Sequence, residues 1–588
     1  GADLLVNAAY AALGGPEGQS WSVWCHPTSN WTYGEVRSDN AYKGGGGVGD
    51  LNEVHRMETF DMDATNGFLD SKWYHLYCSV QRCNSALRVL NAATDEQVNG
   101  RVSRIAEMKV LRAHYYFELS RLFNKIPYFD ENVEISQYPD IPNNEFTRDE
   151  ILSMLAKEML DAAEQLPASQ PEVGRIHKYI ALAYAAKIKL YQAYQQDETT
   201  HAVTSINKEL LREVVSLCDQ VTASNRYGLL DDFQGLDLVA NENGKESVFT
   251  IQYSMNDGTE SAGRINWSNL LNSPGGGSPY GGDGFFLPSQ DLINAYQTDA
   301  NGLPDFNYQS KSDYSWAVLN NGVYTLQNTT PNVDPRLDFV VGRPTITWKT
   351  YPDKPCEGWV RDKETYGYNC AKRFWVSPES SDMFNGWPWG ASQLNWQIIR
   401  YADILLWKAE ALIELNEGDG LETARDLINQ IRNRARNSAY VKDFNDHSKY
   451  AANYLVNPYP ADVWNQDYAR QALRWETRLE KALEGERFFD LVRWGIVETT
   501  MNKYITAESD NRIYYALRLF LGVLLKNGVS RHISPLAEAG RVVLVYDRRT
   551  GEVTDIVIRS GHGIRGYLLV MYQICRFDFA PPVHMIFT

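Results

Sequence analysis

WQIIRYADILLWKAEALIELNEGDGLETARDLINQIRNRAR, residues 396–436, is the stretch that decides the fold. Its apolar residues recur at steps of three and four on both sides of a Gly418-Asp419-Gly420 turn, which places one apolar stripe along each of two helices. Alanine recurs within both stripes and lets the two helices approach closely. The stretch therefore predicts a tetratricopeptide-like helical hairpin. The stripes are Ile398, Ala402, Leu405, Ala409 and Leu412, then Leu421, Ala424, Ile428, Ile431 and Ala435.

The same helical periodicity fills residues 70–220 and 468–500. Within the first of these blocks, Thr147-Arg148-Asp149-Glu150 has the pattern of a capping box, in which the Thr and Glu side chains satisfy two free amides at a helix start. Residues 228–395 differ, because they are rich in Gly, Pro, Asn, Asp and aromatic residues and contain turn signals. Short strands are expected there, for example at residues 247–253.

We therefore predict a mostly α protein. Its tetratricopeptide-like helical-hairpin scaffold should carry a large irregular, loop-rich and aromatic-rich region with short strands. The expected division is an N-terminal helical part (1–227), a loop-rich aromatic ligand-binding region (228–395), C-terminal helical hairpins (396–505) and an atypical tail (506–588). In the tail, residues 541–553 have the pattern of a β-hairpin with a Gly-containing loop.

Charge and composition exclude several classes of protein. The 588 residues include 57 Lys and Arg against 74 Asp and Glu, a net charge of −17, which disfavours nucleic-acid binding. No run of 18 apolar residues is present, so no bilayer-spanning helix is expected. Among the seven cysteines, Cys356 and Cys370 flank a short loop that a disulfide could close, whereas Cys78 and Cys83 are predicted to be free.

Catalytic motifs give little support for an enzyme. The patterns HExxH, GxxxxGK[ST], CxxC and GxSxG do not occur. Gly44–Gly49 fits GxGxxG but lacks a preceding strand and a following helix, so we interpret it as a flexible loop. His114, His177 and His201 show no metal-ligand spacing, and no metal site is predicted. A pair of carboxylates for glycoside hydrolysis stays open.

Tryptophan placement is the most informative chemical feature. Four of the 16 tryptophans, Trp73, Trp407, Trp475 and Trp494, lie on predicted helices and are expected in the core. A flat ring in a loop can cover the apolar C–H face of a sugar, while nearby Asn, Asp and Gln bind its hydroxyls. The alternative is that these rings pin long loops onto the core. The loop tryptophans are Trp21, Trp24, Trp31, Trp267, Trp316, Trp348, Trp359, Trp375, Trp387, Trp389 and Trp396.

Seven segments in fixed order carry a resemblance to a known family. They are GEVRSDN (34–40), EMKVLRAHYYF (107–117), GRI (174–176), LPSQDL (287–292), DPRL (334–337), RYADILL (400–406) and EGERFFDLVRWG (484–495). Together they resemble the SusD/RagB family of Bacteroidetes outer-membrane nutrient-binding lipoproteins over about residues 5–505. We expect such segments to be structural: Asp334 before Pro335 favours a turn, and Arg336 can hold a carboxylate. Residues 506–588 depart from the usual family ending.

The resemblance implies a helical scaffold of four tetratricopeptide-like units and a loop-rich face that binds glycans. It implies a non-catalytic, cell-surface protein of the outer membrane, lipid-anchored through a cysteine that would precede Gly1. Such a protein captures oligosaccharides or polysaccharide and passes them to a SusC-like TonB-dependent transporter. No cofactor is implied, although the family leaves calcium open at an Asp/Asn loop such as that of Asp283.

Family binding sites lie on variable loops, so our candidate ligand-binding residues come from the aromatic loops themselves. Two other functions stay open. A tetratricopeptide-type adaptor would bind a peptide in the helical groove, and a glycoside hydrolase would cleave the glycan. The candidates are Trp31, Asn40, Tyr42, Trp267, Tyr280, Asp283, Trp316, Tyr324, Trp359, Asn385 and Trp387.

Overall fold

The structure is a computed structural model, and it describes residues 1–14, 24–259, 263–349 and 351–511 together with three tail strands. Residues Gly1–Val497 form one compact unit and Glu498–Thr588 form a second. Within the described residues, no helix is both long enough and apolar enough to cross a membrane.

Helices are the main regular structure of the first unit, as predicted. A π-helical turn lies at Trp31–Val36, and 3-10 turns lie at Ile135–Asp140, Phe233–Asp237, Val239–Asn241 and Tyr308–Ser310. The α-helices are α1 (Ala2–Ala11), α2 (Asn52–Glu58), α3 (Gly67–Ala92), α4 (Arg101–Leu122), α5 (Arg148–Gln165), α6 (Lys178–Ala193), α7 (Lys208–Ala223), α8 (Gln290–Ala295), α9 (Arg336–Val340), α10 (Lys363–Tyr366), α11 (Tyr401–Leu415), α12 (Gly420–Asn437), α13 (Gln466–Glu480), α14 (Arg487–Arg493) and α15 (Val497–Asn511).

Successive helices from α3 to α7 pack side by side, and α11 continues the array against α6 and α7. Helix α6 sits between neighbours, and its Ala183 and Ala186 are fully buried, which allows the close helix approach that the array needs. At the start of α5, the Thr147 hydroxyl accepts from the Glu150 amide at 3.2 Å, while the Glu150 carboxylate accepts from the Thr147 amide at 2.8 Å. The predicted capping box is confirmed.

The hairpin predicted around residues 396–436 is confirmed as α11 and α12, with Ala402, Leu405 and Ile428 in one apolar core. Its first residues differ from the prediction, because Trp396–Arg400 form a strand and the helix begins at Tyr401. The strand pairs with residues 247–251, far away in the sequence. Periodicity within one segment cannot reveal such a partner.

The strands are short and mostly paired in antiparallel twos, and the strand predicted at residues 247–253 is confirmed as β4. In the tail, antiparallel pairing of β15 with β16 confirms the predicted hairpin strands, whereas its loop lies outside the described residues. The strands are β1 (Ala41–Gly44), β2 (Tyr194–Gln196), β3 (Val203–Ile206), β4 (Ser247–Ile251), β5 (Phe285–Pro288), β6 (Gln297–Thr298), β7 (Trp316–Asn320), β8 (Val323–Gln327), β9 (Asn332–Val333), β10 (Val341–Gly342), β11 (Thr347–Trp348), β12 (Tyr351–Pro355), β13 (Cys370–Ala371), β14 (Trp396–Arg400), β15 (Val542–Tyr546), β16 (Val553–Ile558) and β17 (His584–Phe587).

A buried network of ion pairs joins the loop-rich region to the C-terminal helices. The Arg336 guanidinium is fully buried and pairs with Asp334 at 2.7 Å and with Glu480 at 3.0 Å. Arg400 also binds Glu480, at 2.7 Å, and Glu246, at 2.9 Å. The DPRL and RYADILL segments are therefore structural, as predicted, because buried charges need such partners.

Cys356 and Cys370 lie close together in the interior, with their sulfur atoms 3.8 Å apart. This separation exceeds a disulfide bond, which is about 2.05 Å long. Both are free thiols, so the disulfide that the sequence left open is not formed. Cys78 and Cys83 are likewise not in a disulfide, as predicted.

Candidate functional site

Five of the predicted ligand-binding residues are buried. Trp31, Asn40, Tyr42, Tyr280 and Trp359 are each at most 4% exposed. A ring stacks on a sugar only through a face that is open to solvent, and an amide must reach the surface to bind a hydroxyl. The prediction is wrong for these five residues, which belong to the interior beneath the loops.

Tyr280, Trp348 and Trp359 form a buried aromatic layer. The Trp348 indole N–H donates to the Tyr280 hydroxyl at 3.0 Å, and the Tyr280 hydroxyl donates to the Val376 carbonyl at 2.6 Å. The rings of Trp348 and Trp359 are 5.1 Å apart. This layer matches the alternative that loop aromatics pin long loops onto the core, because its rings are buried and the polar atoms of Trp348 and Tyr280 both have partners.

Asn40 and Trp31 are held by neighbours from distant parts of the chain. The Asn40 amide donates to Glu35 at 3.0 Å, and its oxygen accepts from the Arg478 side chain at 2.9 Å. The Trp31 ring lies 5.6 Å from Phe286. Sequence reasoning placed both residues in surface loops because Arg478 and Phe286, which cover them, are distant in the chain.

Three other tryptophans, two of them exposed, form a group that we call the tryptophan cluster: Trp267, Trp387 and Trp389. Trp387 is 49% exposed and Trp389 is 47% exposed, while Trp267 is half-buried. The rings of Trp267 and Trp387 are 6.1 Å apart and inclined at 65°. The cluster thus offers open aromatic surface at a corner between two ring planes.

The loop of residues 383–392 holds two members of the cluster and is fixed at its base. Met383 and Ser392 pair as an antiparallel bridge, and the Ser273 hydroxyl donates to the Trp389 carbonyl at 2.6 Å. Gly390 has φ +73°, and a Cβ there would lie 2.5 Å from the Cβ of Ser273. Only glycine fits this approach, so the sequence fixes how closely the loop packs against Ser273.

Asn385, another predicted residue, is exposed in the same loop, two positions before Trp387. Trp389 was not among the predicted ligand-binding residues. The signal that could have found it is the repeat Trp387-Pro388-Trp389, in which a proline separates two indoles within one turn-forming segment.

A second aromatic group lies on the β7–β8 hairpin. Trp316 is 45% exposed and pairs with Gln327 across the hairpin. Tyr324 is half-buried, and its ring lies 5.3 Å from that of Tyr368 in an edge-to-face arrangement. Trp316 is exposed and Tyr324 is partly exposed, so both can still contact a ligand, and both stay predictions.

Asp283 supplies a carboxylate near Arg361. One Arg361 Nη donates to the Asp50 carboxylate at 3.0 Å and to the Asp283 backbone carbonyl at 2.9 Å. Within the described residues the Asp283 side chain accepts no hydrogen bond, and it is half-buried. Burial raises the pKa of Asp283; Arg361 opposes this effect, and Asp50 adds to it. A half-buried acceptor with no partner suits a sugar hydroxyl.

The glycine-rich loop at residues 44–49 lies beside Arg361, and two of its amides are already used, since the Gly45 amide donates to the Gly284 carbonyl at 2.8 Å. The Gly46 amide donates to the Asp50 carboxylate at 2.8 Å, which supplies negative charge where a phosphate would have to bind. Among the described residues, no three His, Cys, Asp or Glu side chains gather as a metal site would require. Calcium at Asp283 therefore stays a prediction.

One segment, residues 266–284, links these features. Its Ser273 contacts the Trp389 loop, and a Cβ at its Gly275 would lie 2.9 Å from the Arg361 side chain. We call the tryptophan cluster with Asp283 and Arg361 the loop face. It combines open rings with a carboxylate and a guanidinium, a set that suits a polar ligand with an apolar ring face.

Two sequence profiles match the chain. The profile described as the SusD family matches residues 245–515, and the profile described as "Starch-binding associating with outer membrane" matches residues 28–190. A similar protein, SusD-like protein P2 of Formosa agariphila, is 25% identical over 444 residues, which are 74% of each chain.

Solved structures share the fold. A SusD-like carbohydrate-binding protein from Bacteroides fragilis superposes with a TM-score of 0.63 at 22% identity, covering 85% of this chain and 86% of that one. Surface glycan-binding protein A from Bacteroides thetaiotaomicron, solved with laminarihexaose, gives a TM-score of 0.54 at 19% identity over 86% and 92% of the two chains. These likenesses establish the helical scaffold with its loop-rich region.

Proposed function

Because this chain belongs to the SusD/RagB family, we propose that it is a glycan-binding protein of the cell surface. Its ligand is an oligosaccharide or polysaccharide, bound without catalysis. The binding surface is the loop face, and the exposed tryptophan cluster carries the proposal.

The cluster supports glycan binding on physical grounds. Nearly half of the Trp387 and Trp389 side chains faces solvent, although burial of so large an apolar ring is favourable and no fold needs such exposure. A sugar covers a ring through its C–H face, while its hydroxyls need acceptors and donors such as Asp283 and Arg361. The buried aromatic layer beneath keeps the loops in place.

The names of similar proteins support the same class of ligand. One structural neighbour is described as a laminarin-binding SusD-like protein, and another was solved with laminarihexaose. Laminarihexaose is therefore a sensible first probe for this chain.

The location and partner are part of the proposal. We place the protein at the outer membrane, held by an N-terminal lipid anchor, next to a SusC-like TonB-dependent transporter to which it passes glycan. The description of the second matching profile, which names association with the outer membrane, supports this placement. Co-purification of such a barrel from native membranes with the tagged protein would test the partner.

The decisive experiment is calorimetric titration of the wild type and three variants against a panel of oligosaccharides that includes laminarihexaose. Trp387→Ala and Trp389→Ala should each weaken binding about tenfold, since one stacked ring contributes about 1.4 kcal/mol. Tyr74→Ala is the control, because Tyr74 is 49% exposed on α3 of the scaffold.

Two results would speak against the proposal. One is a wild type that binds no member of the panel at millimolar concentration. The other is equal affinity of all variants, which would move the ligand away from the tryptophan cluster. Release of reducing ends during the titration would contradict only the claim that the protein does not cleave its glycan.

A further inference from the structure

A cavity of about 260 Å³ lies where the C-terminal end of α4, the first residue of α5 and helix α14 meet. None of the loop-face residues lines it. Four arginines do: Arg37, Arg121, Arg148 and Arg493. The chain as a whole is strongly acidic, with a net charge of −17, so this local concentration of positive charge is unusual.

Two of these arginines are neutralised by the protein itself. Arg121 pairs with Glu118 and, at 2.7 Å, with Glu486. Arg493 pairs with Glu410 and with Asp490 at 2.9 Å. Their charges serve the fold and leave little attraction for a ligand.

Arg37 and Arg148 are different, because within the described part of the chain neither forms an ion pair within 4 Å. Asp149 and Glu198 act on Arg148 from farther away, and burial outweighs them. Arg37 donates through Nε to the Tyr33 carbonyl at 2.8 Å and lies over the Phe488 ring at 4.1 Å. Arg148 donates through one Nη to the Tyr191 carbonyl at 3.1 Å. These backbone contacts orient the guanidinium groups but do not neutralise them.

Burial of these two charges is unfavourable, and the pKa values record it. Burial lowers the pKa of Arg37 to about 10 and also lowers the pKa of Arg148. For Arg121 and Arg493, burial acts in the same direction, but the carboxylate partners outweigh it and raise the pKa. An anion in the cavity would stabilise the charged forms of Arg37 and Arg148, as the carboxylates do for Arg121 and Arg493.

The remaining walls are largely apolar, with Phe123, Leu152 and Val492 among them, while Ser120 and Asn124 add hydroxyl and amide groups. We propose that this cavity binds the carboxylate of a small ring-shaped ligand, specifically a hexuronate unit, through Arg37 and Arg148. A guanidinium presents paired N–H donors that match the two oxygens of a carboxylate. The apolar walls cover the C–H face of the sugar ring.

This site is separate from the loop face, so the protein would bind an acidic sugar independently of its main glycan. The test is calorimetric titration of the wild-type protein with galacturonate and, in parallel, with neutral galactose and with galactose 6-sulfate. Galacturonate should bind, and galactose should bind at least tenfold more weakly because it lacks the charge.

Variants assign the binding to the cavity. Arg148→Gln should weaken galacturonate binding between tenfold and a hundredfold, the usual effect of losing a charged hydrogen bond (about 1.5–3 kcal/mol). Arg148 begins a helix at a half-buried position, so its removal should leave the fold intact, whereas Arg37→Gln would also remove the contacts of Arg37 with the Tyr33 carbonyl and the Phe488 ring. Arg212→Gln is the matched control, since Arg212 lies on α7 and pairs with Glu209 and Glu417.

Several outcomes would overturn the proposal: no galacturonate binding by the wild type, equal affinity for galactose, or an Arg148→Gln variant that binds as well as Arg212→Gln. Binding of galactose 6-sulfate in place of galacturonate would overturn the choice of a carboxylate. Laminarihexaose titrations of the same samples separate this test from that of the loop face, because Arg148→Gln should leave that affinity unchanged.

Discussion

Glu480 is the centre of the buried ion network, and its replacement by glutamine is the sharpest test of what holds the scaffold to the loops. The Glu480 carboxylate is fully buried and binds Arg434, Arg400 at 2.7 Å and Arg336 at 3.0 Å. Glu480→Gln preserves the volume of the side chain. It removes the negative charge that these three guanidinium groups share.

The magnitude follows from the pKa of Glu480. Burial alone would raise this pKa, but the charges of Arg434, Arg400 and Arg336 outweigh burial and lower it from 4.5 to about 2. That difference corresponds to about 3 kcal/mol of stability. Because the folded-state pKa is depressed, the contribution is complete above pH 4.5 and is lost as the pH falls towards 2. At pH 7, Glu480→Gln should cost about 3–5 kcal/mol, the usual effect of breaking a buried pair.

Urea unfolding at pH 7, followed by near-ultraviolet circular dichroism, measures this loss. The control is Asp161→Asn, which breaks the exposed Lys157–Asp161 pair of α5, with side chains 74% and 56% exposed. An exposed pair contributes at most about 1 kcal/mol, so the control should unfold almost as the wild type does. A loss below 1 kcal/mol for Glu480→Gln would refute the view that the network stabilises the fold through its charge.

Two more predictions concern histidines and the Trp389 loop. Burial lowers the pKa of both His26 and His114 from 6.5 to about 4. As the pH drops from 6.5 to 4, these histidines therefore take up protons in the unfolded chain before they do so in the folded protein. The free energy of unfolding should fall over this range by about 3 kcal/mol per histidine. Urea midpoints across this range should show the fall, and His114→Gln should flatten it; an unchanged profile would contradict the assignment. Gly390→Ala should destabilise the protein by about 1–3 kcal/mol and weaken glycan binding, because the added Cβ meets Ser273 at a positive φ. Gly49→Ala, with nothing within 4 Å of its Cβ, is the control; equal behaviour of the two variants in calorimetry and urea unfolding would count against the fixed loop geometry.

The helical part of the fold could be predicted from local patterns because each helix buries one stripe of its own sequence. The capping box at Thr147 and the α11–α12 hairpin depend on residues within four positions of each other. Local patterns did not predict the strand at Trp396–Arg400. Its backbone pairs with residues 247–251, and only the folded chain brings the two together.

The candidate site could be predicted only in part. The sequence indicated the aromatic-rich region and its ligand class, and the structure finds exposed rings there at Trp316 and Trp387. Which rings face outward was beyond the sequence, since Trp359 in the same region is 2% exposed beneath the loops. In a loop, no regular spacing of apolar residues shows whether a tryptophan faces the core or the solvent.

By itself, the sequence determined the class of scaffold, the location of its helices and the part of the chain that presents aromatic loops, because these follow from spacing along the chain. Only the tertiary structure decided which charges have partners: Arg336 is neutralised inside, whereas Arg37 and Arg148 line a cavity and form no ion pair with a carboxylate of the described residues. The physical reason is distance. Ion pairs and ring contacts act over a few ångströms in space, and their members here are often more than 100 residues apart in the chain.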